Sequence, residues 1–127
     1  MSFKILNKLV VSIEDASYWR VERDWKVEVN EKLYTVPKHF HFNFASTPRF
    51  MWFWFPPATG LYRKATALHD YMYSTGIVSR EYADIIFYYF MLFSKVNSIK
   101  AKLMYYAVRL FGKVAYKPKS LNTDKTK

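Results

Sequence analysis

His69, Asp70, Tyr73 and Asp84 are the residues whose types and spacing can support chemistry. The first three stand in Leu68-His69-Asp70-Tyr71-Met72-Tyr73 and the fourth in Tyr82-Ala83-Asp84-Ile85-Ile86-Phe87, among neighbours that are nearly all apolar. An unpaired charge in such surroundings is costly, so His69 and a carboxylate are expected to pair if their helices pack antiparallel. Such a pair is the core of a general base: the imidazole takes a proton from water, and the carboxylate fixes its tautomer and stabilises the imidazolium. Asp84 is the expected partner, because Asp70 points about 100° away from His69 around a helix. Asp70 is thereby open to another task. A hard cation such as calcium accepts carboxylate and carbonyl oxygens, and the Pro56 to Tyr62 loop just upstream can supply the carbonyls. Tyr73 lies one turn after His69 on the same face, where its hydroxyl can hold a buried carboxylate.

Plainer readings stand beside these. Asp84 follows Arg80 at i+4, the spacing of an ordinary surface ion pair. His69 can be a hydrogen-bonded core histidine and Asp70 a solvated helix residue, since structural pairs also perturb protonation. His39 and His41 are two apart and would share a strand face, a spacing open to metal ligation, but no third ligand is near and a structural role is favoured. The aromatic cluster Phe50 to Phe55, with Trp52, Trp54 and the flanking Arg49 and Arg63, suits either a lipid or base interface or, preferentially, filling between sheet and helices. Lys95, Lys100, Lys102, Arg109 and Lys113 recur along the third helix and its approach. They suit at most salt-dependent nucleic-acid binding without sequence preference.

The elements that must position these residues change period along the chain. Trp25-Lys26-Val27-Glu28-Val29 alternates like a half-buried strand, Asn30-Glu31-Lys32 reads as a turn, and Leu33 to Val36 returns antiparallel until Pro37, which cannot donate to a ladder. His39 to Phe44 alternates again. Residues 46–60 hold three of the five prolines and read as a connecting loop. Helical spacing follows from Arg63 to about Tyr73, from Ser79 to about Lys95 and from Ser98 to Phe111. Ser79 is the expected N-cap of the second helix, and Gly112 the left-handed residue closing the third. Ile85 to Phe93 is apolar almost all round, which predicts that the second helix is the buried centre. Strands first and helices after give an α+β class: a small N-terminal antiparallel sheet followed by about three helices.

The composition limits the alternatives. Hydrophobic residues make up 51% of the 127, enough to offset chain ordering in one domain, expected over residues 1–116 with a flexible basic tail at 117–127. The absence of cysteine excludes disulfides, thiol nucleophiles and zinc–cysteine sites, and three glycines are too few for most nucleotide cradles. A net charge of +10 attracts anions: nucleic acid, anionic lipid or an acidic partner. The first residues lack a signal-peptide core, and the longest apolar stretch is under half a membrane span.

The order of several motifs resembles a family of uncharacterised small proteins of phages and prophages. These are Phe44-Ala45-Ser46-Thr47-Pro48-Arg49, the Pro56-Pro57-Ala58-Thr59-Gly60-Leu61-Tyr62 loop, Ala67 to Tyr73, Ser79 to Asp84 and Met104 to Gly112, together covering roughly residues 25–116. That family carries no established activity, and it has an aspartate where this chain has Asn43. The helix pair alone also resembles secreted phospholipases A₂, which carry a His-Asp-x-x-Tyr helix followed by a helix with a second aspartate. By that resemblance His69 is the base for water, Asp84 its orienting partner, Asp70 a calcium ligand and Tyr73 a support for Asp84. The glycine-rich calcium loop and the disulfides of those enzymes are missing. A phage accessory hydrolase acting on esters is therefore the leading expectation. The alternative is a non-enzymatic virion component or binder of a host protein. A host bacterial cytoplasm or a virion would be the setting, and an anionic lipid surface, a virion protein or a host protein the partner.

Overall fold

The computed structural model describes residues 1–15, 18–42 and 60–118. Its clearest local determinant is the hairpin of β4 (Trp25–Val29) and β5 (Lys32–Val36), in register from Trp25 opposite Val36 to Val29 opposite Lys32. Asn30 and Glu31 both have positive φ (51° and 71°), the two-residue turn whose twist matches the strands. Trp25, Val27 and Val29 on one side and Tyr34 and Val36 on the other are buried, as alternation demands. β1 (Phe3–Ile5) adds to the free edge of β4, giving the order β1-β4-β5. β2 (Val11–Asp15), β3 (Tyr18–Val21) and β6 (His41–Phe42) form a second antiparallel sheet in the order β2-β3-β6.

Three helices follow: α1 (Gly60–Thr75), α2 (Arg80–Phe93) and α3 (Ser98–Phe111), the last running into a 3₁₀ turn at Gly112–Ala115. The N-terminal antiparallel sheet region with three helices after it is the α+β arrangement expected from the sequence. Ser79 caps α2, its hydroxyl accepting the N–H of Tyr82 at 3.1 Å, and Asn97 caps α3 by accepting from Ile99 at 2.9 Å. α2 packs between α1 and α3. Its Phe90 meets Phe3 and Trp25 of the first sheet, with ring centroids 4.9 and 6.2 Å apart.

Several expectations are corrected. α1 begins at Gly60, so Gly60, Leu61 and Tyr62 are its first turn and not loop. Only His41 and Phe42 of the 39–44 stretch are described as strand; His39 has a φ of 75°, outside strand geometry, so the two histidines do not share a strand face. α2 is not apolar-buried all round, since Ile85, Tyr89 and Phe93 are exposed. α1 is the more enclosed helix, with Ala65 to Asp70 all buried, because its small residues admit close neighbours. Gly112 is right-handed (φ −78°, ψ −10°), so its lack of a side chain serves another purpose, given below. The Tyr116 hydroxyl donates to the Val78 carbonyl at 2.7 Å and the Lys117 N–H bonds the Tyr73 carbonyl at 2.8 Å, while residues 119–127 of the expected tail lie outside the described residues. Asn43 and the 46–59 segment, with Arg49, Trp52 and Trp54, lie outside the described residues.

Candidate functional site

The short connection from Gly76 to Ser79 folds α1 and α2 into a helical hairpin. Tyr73 near the end of α1 meets Arg80 at the start of α2, and His69, one turn earlier, meets Asp84, one turn later. The His69 Nε2–H donates to Asp84 Oδ1 at 2.7 Å, and the Tyr73 hydroxyl donates to the same oxygen at 2.6 Å. From α3, Arg109 Nη1 donates to Asp84 Oδ2 at 2.7 Å. One carboxylate on α2 thus accepts from both other helices. His69 and Asp84 are 1% and 0% exposed. Two rings pack against the imidazole, Tyr73 at 4.2 Å and Phe87 at 4.5 Å between centroids.

Three aligned donors decide the charge of Asp84. Burial alone would raise its pKa; the hydrogen bond and charge of His69, with the bonds from Tyr73 and Arg109, outweigh burial and hold it below its usual value. Burial likewise works to lower the pKa of His69, but the carboxylates of Asp70 and Asp84 prevail and raise it. Burial, then the adjacent Asp84, push the Tyr73 phenol up, so it stays protonated as a donor.

Arg80 does not form the expected ion pair with Asp84. Its Nε donates to the Tyr73 hydroxyl at 3.3 Å, and its Nη2 donates to the Val108 and Arg109 carbonyls in the last turn of α3. A cation there suits the negative end of that helix. Arg109 is not a solvent-facing cation for phosphate: its side chain is 27% exposed and engaged by Asp84. In the sequence it reads as part of a basic face. Its i+25 separation from Asp84 leaves no local signal of the bond, although it lies within the Met104 to Gly112 motif.

Gly112 completes the support. A Cβ there would stand 2.9 Å from the Tyr73 hydroxyl oxygen and 3.1 Å from its Cε2, so glycine is what lets the chain pass over the phenol.

Asp70 is buried, not solvated, and its Oδ1 lies 3.9 Å from His69 Nδ1, beyond hydrogen-bond reach. Among the described residues no three carboxylate or imidazole groups gather as metal ligands, and residues 56–59 of the expected carbonyl-bearing loop lie outside the described residues. Carbonyls 60–62 belong to a helical first turn, where they accept from N–H groups four residues on. His39 and His41 are likewise in no such group; His41 stacks on Tyr18 at 4.9 Å. Arg63 lies with its guanidinium carbon 4.7 Å from the centre of the Trp19 ring.

The family model described as protein of unknown function (DUF1353) matches residues 19–108. The chain belongs to this family. The DUF1353 match spans His69, Tyr73, Arg80 and Asp84 and stops one residue before Arg109. No curated protein and no solved structure matches the chain significantly. No helix among the described residues is long and apolar enough to cross a membrane.

Proposed function

We propose that this DUF1353 chain is a phage accessory protein with an esterase-type hydrolytic site, in which His69 is the general base and Asp84 its orienting partner. The observation that carries the reading is the 2.7 Å bond from His69 Nε2 to an enclosed carboxylate that three donors keep ionised. That bond assigns the Nε2–H tautomer to neutral His69, so Nδ1 is the nitrogen that takes the proton. In the reaction, Nδ1 accepts a proton from water as the water oxygen bonds to the ester carbonyl carbon. The carbon–oxygen bond to the alcohol then breaks, and the imidazolium returns the proton to the departing alkoxide. Asp84 stabilises the imidazolium between these steps, while Tyr73 and Arg109 hold Asp84. Calcium enters no step. With His69 1% exposed, the reading requires the surrounding chain to open far enough for water and ester to reach Nδ1.

The phage setting rests on the resemblance of the ordered motifs to those of small phage and prophage proteins, and the ester class on the resemblance of the helix pair to secreted phospholipases A₂. The test is hydrolysis of a short-chain nitrophenyl ester and of phospholipid by the wild type and by His69→Gln, each shown folded by circular dichroism. Turnover lost by about 10²-fold or more in the variant supports the reading. Equal turnover, or none in the wild type, refutes it.

The near-complete enclosure of His69 and Asp84 favours a second reading: a non-enzymatic virion component or host-protein binder in which the cluster only knits three helices. It requires that His69→Gln lower the melting temperature and abolish no reaction.

A further inference from the structure

We infer that the outer face of α3 is a docking surface for an anionic lipid bilayer. Ile99, Leu103, Tyr106 and Leu110 recur at i, i+4, i+7 and i+11, which aligns them in one stripe along the helix. All four point outward: Ile99 is 70% and Leu110 74% exposed, and Leu103 and Tyr106 are about half exposed. The stripe widens onto α2, where Tyr88 shares a shallow groove with Ile99, Lys102, Leu103 and Tyr106, and where Ile85 and Tyr89 are exposed beyond it. Isolated exposed apolar residues need no explanation, but a continuous band of this length on a small domain does.

Charge selects the occupant. From Ile85 to Pro118 the chain has no acidic residue, whereas Lys95, Lys100, Lys102 and Lys113 are all exposed along α3 and its ends. A second copy would set these lysines against their equivalents, which disfavours self-association. Nucleic acid would meet a stripe whose aliphatic members cannot stack on bases. A bilayer with anionic headgroups satisfies both features at once: aliphatic side chains and tyrosine rings enter the interface, and the lysine stems lie along it with their ammonium groups at phosphate level. The surface lies on the outer faces of the helices that carry Asp84 and Arg109, and does not depend on turnover at the His69 site.

The experiment is flotation of the full chain with phosphatidylglycerol/phosphatidylcholine vesicles and with pure phosphatidylcholine vesicles. Binding to the anionic vesicles should be at least about tenfold stronger, since each lysine near such a surface is worth about fivefold. It should weaken in high salt. Leu103→Glu/Leu110→Glu should weaken it at least about tenfold at unchanged melting temperature, and Lys100→Glu/Lys102→Glu should remove the anionic preference. His69→Gln should bind vesicles like the wild type, so loss of hydrolysis and loss of docking are read separately. Absence of vesicle binding, equal binding by Leu103→Glu/Leu110→Glu, or a solution dimer that this double variant dissociates would each overturn the inference.

Discussion

Asp84→Asn is the substitution whose consequence can be worked furthest. It changes shape little, but it replaces an acceptor-only carboxylate with a group that keeps one carbonyl oxygen and presents an NH₂. Three donors now converge on Asp84, at 2.6 Å from Tyr73 and 2.7 Å from both His69 and Arg109. Asparagine can satisfy only part of this set, and its NH₂ must face one of the donors. Two of the three bonds are enclosed; Arg109, 27% exposed, is partly compensated by water and counts for less. Each enclosed bond to a charge is worth about 1.5–3 kcal/mol, and the bonds are not additive because they share one acceptor. The expected loss is therefore about 3–5 kcal/mol, that of a buried pair broken on one side. For a domain of this size that is a fall in Tm of about 10–20 °C. Thermal unfolding followed by circular dichroism near neutral pH is the assay. A fall below about 3 °C would refute the reasoning, because it would mean that the cluster is solvated or that the three donors find other acceptors without cost.

Two further outcomes follow from the same geometry. Gly112→Ala should displace the Tyr73 phenol from Asp84 and lower stability by about 1–3 kcal/mol, and Tyr73→Phe in the same chain should relieve part of that cost; additive losses in a double-mutant cycle would count against the contact. The cluster should also give stability a pH window. His69, raised above 6.5 in the fold, contributes fully below 6.5, and the contribution is lost as pH rises through the higher native value. Asp84, held below 3.8, contributes fully above 3.8, and its contribution is lost as pH falls through the native value. The Tm difference between wild type and His69→Gln should therefore shrink on going from about pH 6 to about pH 9, and a constant difference would contradict the pairing.

Much of this arrangement is legible in the sequence because it is local. Alternation at Trp25 to Val29 specifies the hairpin, and the i+4 spacing of His69 and Tyr73 with a short connection to Asp84 specifies one shared cluster. What is not legible is long-range. Arg109 reads as one more lysine-like surface charge until α3 is folded against α2, and Arg80 at i+4 from Asp84 reads as an ion pair although the carbonyls at the end of α3 hold it instead. Gly112 invites a helix-stop reading because glycine is common at that position; its true constraint, the Tyr73 ring, comes from a residue 39 positions away. α2 does lie between α1 and α3, but hydropathy does not distinguish its buried face from the exposed apolar band of Ile85, Tyr89 and Phe93.

The most direct test of the proposed role of His69 is the pH dependence of kcat/KM for ester hydrolysis, set beside the NMR titration of the His69 imidazole. A general base works when neutral, and its carboxylate neighbours raise its pKa. The account therefore requires activity to rise with pH through a midpoint above 6.5 that coincides with the His69 titration. Hydrolysis that persists on the acid side of that titration, or no hydrolysis at any pH, would contradict it.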